Sequence, residues 1–201
     1  VLLFGTLVEA KFDIGLGTAG ANKGATLLDK VEASRTKPVT ALTPSALSYA
    51  SVSTGSLVAV WSSGGNPGGT VYTAELSTDA FASLVASSAT LNLLAPFLGL
   101  APNRSYSARV KASSGTYVSL GSTVTLAQQP GTGALAIVSS VAVTTTWGAG
   151  SNPAGTSYLV QLSTDAFVTL IASSSTLNAS ATFYGLLPNT AYVAQVRAQN
   201  T

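Results

Sequence analysis

Apolar and polar side chains alternate along much of this chain. In VEAKFDIGL, residues 8–16, Val8, Ala10, Phe12, Ile14 and Leu16 fall on one side and Glu9, Lys11 and Asp13 on the other. The same period of two groups Leu57 with Ala59 and Trp61, Tyr158 with Val160 and Leu162, and Tyr192 with Ala194 and Val196. Successive side chains of a strand point to opposite faces, so each stretch predicts a β-strand with one buried face. No window sustains a capped helical period. Turn signals separate the strands: GGNPGG, STD and PNR in one half, GSNPAG, STD and PNT in the other. Short strands with regular turns predict an all-β fold of β-sandwiches.

The punctuation recurs because the sequence does. Trp61 and Trp147 stand 86 positions apart, and residues 61–112 align without a gap on 147–198, with 30 identities in 52 positions. The duplication divides the chain into an N-terminal arm (1–38), a first domain (39–129) and a second domain (130–201). The QQPGTG stretch at 128–133 is the linker, with Pro130 and two glycines as breakers. The segment of strongest alternation, 8–16, belongs to neither repeat.

Composition removes several classes of function. Of 201 residues only 8% are charged, and the 9 Lys+Arg against 7 Asp+Glu give a net charge of +2. That is no electrostatic footprint for nucleic acid. The absence of Cys and His removes disulfides, the common zinc ligand sets and the usual nucleophile–base pairs. Asp79 and Asp165, in the two STDAF copies, are expected to close Asx-type turns. They fail as a catalytic pair because the duplication places them in separate domains. The expectation is therefore a protein that is not an enzyme, with no catalytic, cofactor or metal site. The apolar opening VLLFGTLV, residues 1–8, is far short of the roughly 20 residues of a membrane-spanning helix. The absence of Met, at position 1 as elsewhere, favours removal of a secretory leader over a start inside a longer protein.

The order Trp, NP-x-GT-x-Y, then F-x-GL-x-PN-x-x-Y-x-x-x-V-x-A, present in both halves, resembles the fibronectin type III domain in its bacterial extracellular variety. The resemblance covers residues 39–201. It implies a core place for Trp61 and Trp147, a turn at Leu100 and Pro102 and at Leu186 and Pro188, a corner packing of Tyr106 and Tyr192, and an inward face for Val110 and Val196. It implies an extracellular or cell-surface setting and almost no chemistry, since such modules serve as spacers and binding surfaces. Asn103 (NRS) and Asn178 (NAS) lie in glycosylation sequons.

In the first repeat GTYVSLGSTVTLAQ (115–128) follows the Tyr–Val strand, and Val118, Leu120, Val124 and Leu126 fit the last strand of such a sandwich. The second repeat has no counterpart, so a groove of core side chains around Trp147, Tyr192 and Val196 is expected to stand open. Residues 6–16 of the arm, with Val8, Ala10, Phe12, Ile14 and Leu16 on one face, are a candidate donor strand for it. Together they predict a subunit of an extracellular filament or pilus, polymerising head to tail with copies of itself by strand addition. The alternatives are a spacer, or a carbohydrate- or surface-binding module, of a larger secreted adhesin or hydrolase. A chain that continues past Thr201, or an arm that folds back on its own chain, would produce the same pattern.

Overall fold

A computed structural model of the chain describes residues 41–113 and 115–200. The donor-strand residues Val8, Ala10, Phe12, Ile14 and Leu16 lie outside the described residues. All regular structure described is β. The first repeat forms β1 (Ser45–Val52), β2 (Ser56–Ser62), β3 (Tyr72–Ser77), β4 (Ala86–Thr90), β5 (Leu94–Leu98), β6 (Ser105–Ala112) and β7 (Val118–Val124). The second forms β8 (Gly133–Ser139), β9 (Ala142–Trp147), β10 (Tyr158–Ser163), β11 (Ala172–Thr176), β12 (Ser180–Tyr184) and β13 (Val193–Ala198).

The strands pair antiparallel into four sheets. The first repeat gives β1-β2-β5 and β4-β3-β6-β7, and the second gives β8-β9-β12 and β11-β10-β13. Within each repeat the inward side chains of the two sheets share one hydrophobic cluster, so each is a β-sandwich. The first cluster holds Leu57, Ala59, Trp61, Tyr72, Leu76, Phe97, Tyr106 and Val110. The second holds Val143, Trp147, Tyr158, Val160, Leu162, Phe183 and Leu186. The alternation anticipated for Leu57, Ala59 and Trp61 matches β2, where these three are buried between partly exposed neighbours. Each tryptophan packs at a tilt on the tyrosine of the facing sheet, Trp61 on Tyr72 at 5.9 Å and Trp147 on Tyr158 at 5.7 Å.

The last strand of the first sandwich departs from the expected register. A bulge opposite Ala108 and Arg109 inserts one extra residue into β7, and Gly121 within it takes φ 83°. An extra residue reverses which side chains face inward. Leu120 is therefore buried, but beyond the bulge the inward position passes to Thr125, which is fully buried, and Leu126 is 45% exposed. The expectation that Leu126 faces the core is corrected by this reversal. The Thr125 hydroxyl donates to the Ala101 carbonyl at 2.7 Å and accepts from the Arg104 N–H at 3.1 Å, which makes its burial tolerable.

Candidate functional site

Two features of the described residues bear on function: the joint between the sandwiches and the free edge of β13. At the joint, the Asn103 side-chain amide donates to Thr156 Oγ1 at 3.0 Å and to the Gln199 carbonyl at 3.3 Å. Asn103 sits in the turn before β6 with φ 47°, a left-handed conformation that asparagine tolerates better than most residues. It is 4% exposed and Thr156 2%. The linker is held as well. Ala127 N–H donates to Asn200 Oδ1 at 2.7 Å. Asn152 clasps Gln128 by both backbone groups, accepting its N–H at 2.7 Å and donating to its carbonyl at 2.8 Å.

That clasp has a copy at the other end of the first sandwich. Asn66 accepts the Leu42 N–H at 2.8 Å and donates to the Leu42 carbonyl at 2.7 Å. Asn66 and Leu42 stand 86 positions before Asn152 and Gln128. The Asn-Pro turn thus grips the incoming backbone of each sandwich in the same way. Gly64 lets the chain pass close by: it takes φ 65°, and a Cβ there would collide with the Thr43 carbonyl.

The second feature is the outer edge of β13. In the first sandwich β6 lies between β3 and β7, whereas β13 pairs only with β10 among the described residues. The inward side chains of the two strands are the same: Tyr106, Ala108, Val110 and Ala112 against Tyr192, Ala194, Val196 and Ala198. The first four are buried and the second four are only half-buried. The facing strand is opened too. Tyr49 on β1 is half-buried and donates its hydroxyl to the Gly121 carbonyl of β7 at 2.8 Å. On β8, Leu135 is 41% exposed and Val138 59%. A cleft of about 450 Å³ opens between Ser139 and Asn189. Their counterparts Ser53 and Asn103 hold the chain leaving β7, with Leu126 N–H on the Ser53 carbonyl and Asn103 N–H on the Leu126 carbonyl.

The structure thus places Tyr192 and Val196 on the open edge, while Trp147, at 6% exposure, lies in the core beneath it. Of the two sequons, Asn178 is exposed on a turn. The Asn103 amide is engaged at the joint, so a glycan there would have to displace those bonds.

Asp79 and Asp165 close the turns expected of them. Asp79 accepts from Ser83 N–H and hydroxyl and from the Ser77 hydroxyl, and Asp165 from Thr169 and Ser163 likewise. These bonds, led by those from Ser83 and Thr169, hold both carboxyls down at about 2. They also steady two consecutive left-handed residues, Ala80–Phe81 and Ala166–Phe167. On the outer face of the first sandwich, Glu75 takes a 2.8 Å bond from Arg109 Nε and a 2.5 Å bond from the Tyr117 hydroxyl. Burial opposes the charge on Glu75, but these donors outweigh it and lower the carboxyl. Burial and the bond to Glu75 push the Tyr117 hydroxyl up to about 12. Arg109 is stacked between Phe81 and Tyr117, 4.3 and 4.1 Å from their ring centres. Every member of this cluster is partnered, and it pins the segment leading into β7. No group of three or more metal-ligating side chains occurs among the described residues, and no helix described is long and apolar enough to cross a membrane.

No protein-family model matches the chain, and no curated protein sequence does. Among solved structures, it is similar to a two-domain fibronectin type III segment of chicken tenascin, with a TM-score of 0.57 at 11% identity over 79% of this chain and 92% of that one. A weaker likeness is to the FN1–FN3 domains of chicken CNTN1, with a TM-score of 0.35 at 17% identity over 80% of this chain and 64% of that one. At such identities the likeness speaks for architecture alone: the fold is a tandem of fibronectin type III-like β-sandwiches.

Proposed function

We propose that this chain is a non-catalytic structural segment of an extracellular or cell-surface protein, in which sandwiches follow one another at a fixed joint and so hold their neighbours at a set spacing. One observation carries the proposal. The Asn-Pro clasp occurs twice with the same atoms, on Gln128 at the joint and on Leu42 ahead of the first sandwich. A grip repeated at each sandwich suits a series of modules. Loosening it should loosen the spacing. Small-angle X-ray scattering of the 201-residue chain should fit a narrow distribution of dimensions, and the Asn103→Gly/Asn152→Ala variant a broader one. Identical profiles would mean that these contacts do not set the spacing.

A second reading is favoured by the open edge of β13, and it is the filament subunit of strand-exchange type. Four half-buried core side chains on a strand with one partner among the described residues support an acceptor role for an added strand. Filling it with the apolar side of residues 8–16 from another copy would generate head-to-tail growth of bacterial pilus type. Electron microscopy decides: ordered filaments from the intact chain that vanish when residues 1–16 are deleted support exchange. Separate particles from the intact chain contradict it.

A further inference from the structure

The joint is made of two halves, and each repeat carries both. The outgoing half is the Pro-Asn turn ahead of the Tyr–Val strand, and the incoming half is the threonine that closes the Asn-Pro turn. Between the sandwiches, Asn103 supplies the first and Thr156 the second. Their copies, Asn189 and Thr70, make no such contact between sandwiches among the described residues.

Both copies are already in the geometry of the joint. Asn189 has φ 54° against 47° for Asn103, so the turn does not need its partner to form. Thr70 Oγ1 donates to the Pro67 carbonyl at 2.8 Å, as Thr156 Oγ1 does to Pro153 at 2.8 Å. In each case the hydroxyl hydrogen is committed to that carbonyl, which leaves the oxygen to accept, as Thr156 Oγ1 does from Asn103. The difference lies in coverage: Asn103 and Thr156 are buried, whereas Asn189 is exposed and Thr70 half-buried. The second acceptor is less well copied. Ser113, the counterpart of Gln199, takes φ 40°, so its carbonyl is not assigned a role.

We infer that Asn189 and Thr70 are complementary docking points for the same kind of joint, and that the partner each fits is another repeat of this chain, supplied here by a second copy. Asn189 of one copy donates its amide N–H to Thr70 Oγ1 of the next. This rests on the stacked-module reading. Without a covalent linker the contact loses the high effective concentration that the internal joint enjoys, so it is brief and must be trapped.

The absence of cysteine makes trapping clean. The full chain carrying Asn189→Cys and Thr70→Cys is oxidised under mild conditions and resolved by mass without reductant. A ladder of disulfide-linked oligomers is expected, forming at least about tenfold faster than from a control pair, Asn189→Cys with Ser87→Cys. Asn103→Cys/Thr156→Cys, which closes within one chain, calibrates the reaction. Should Asn189→Cys disturb its turn, Thr190→Cys replaces it. A ladder no faster than the control, or a product that stops at two chains and forms equally from Asn189→Cys alone, overturns the inference. The scattering experiment on the internal joint is unaffected by either outcome, so the two proposals fail separately.

Discussion

The two sandwiches start from nearly the same sequence and end with different interiors. Val110 and Val196 occupy equivalent places in equivalent strands, yet the first is fully buried and the second half-buried. The outer face changes in step: Glu75 and Arg109 form an ion pair of 2.7 Å in the first, and Gln161 and Gln195 an amide pair of 2.8 Å in the second. In the first, the ion pair also meets Tyr117 ahead of β7. The comparison teaches that β7 shelters β6 along its length but β1 only at Tyr49 and Val52, whose counterparts Leu135 and Val138 are exposed on β8.

The largest effects should be shared by both sandwiches. Trp61→Ala and Trp147→Ala each remove a large buried aromatic and should each cost about 3–5 kcal/mol. Denaturant unfolding followed by the fluorescence of the remaining tryptophan should show the other sandwich nearly unmoved. A parallel loss in both would merge the two cores into one.

The comparison sharpens at the edge. Val110→Ala should cost about 2 kcal/mol, and Val196→Ala less than half of that, because its methyl groups already meet solvent. Equal costs, read from the same titrations, would mean that the β13 edge is covered in solution. Next comes Asn103→Gly, which keeps the left-handed backbone free of strain but removes a buried amide donor. A loss of about 1–2 kcal/mol is expected from the same denaturant titrations.

The smallest effect divides the sandwiches by acid. Glu75→Gln should cost the first about 1 kcal/mol, given that Arg109 is partly exposed. The folded carboxyl of Glu75 is lowered, so its stabilisation is present above the ordinary glutamate range and is lost as pH falls through the folded value. Asp79 and Asp165 follow the same sign, their support fading from the ordinary 3.8 toward 2. On acidification both sandwiches should weaken through these turns, and the first additionally through Glu75. Melting curves taken from pH 6 down to about 2 check this.

Much of this was legible in the sequence. Alternation and the 86-residue repeat place the buried faces of β2 and β10, and the Trp, NP and PN landmarks point to the sandwich. What escaped depends on backbone detail. The bulge at Gly121 reverses parity within β7, and no hydrophobic pattern announces an inserted residue. Nor does the apolar run ALAIV announce the exposure of β8: Ile137 is 85% exposed at the edge of its sheet, as its counterpart Ser51 is exposed on β1. The joint is hidden because Asn103 lies in a sequon and its partner Thr156 stands 53 residues further along the chain. Its signal was the recurrence of Pro-Asn and Asn-Pro turns at one fixed offset, which is visible only when both are considered as halves of a contact.

The stacked-module account stands on the two sandwiches keeping a fixed mutual orientation in solution. Residual dipolar couplings measured on the intact chain, and fitted separately for the two sandwiches, test this most directly. One common alignment tensor is expected, splitting into two in Asn103→Gly/Asn152→Ala. Two different tensors already in the unaltered chain would contradict the account.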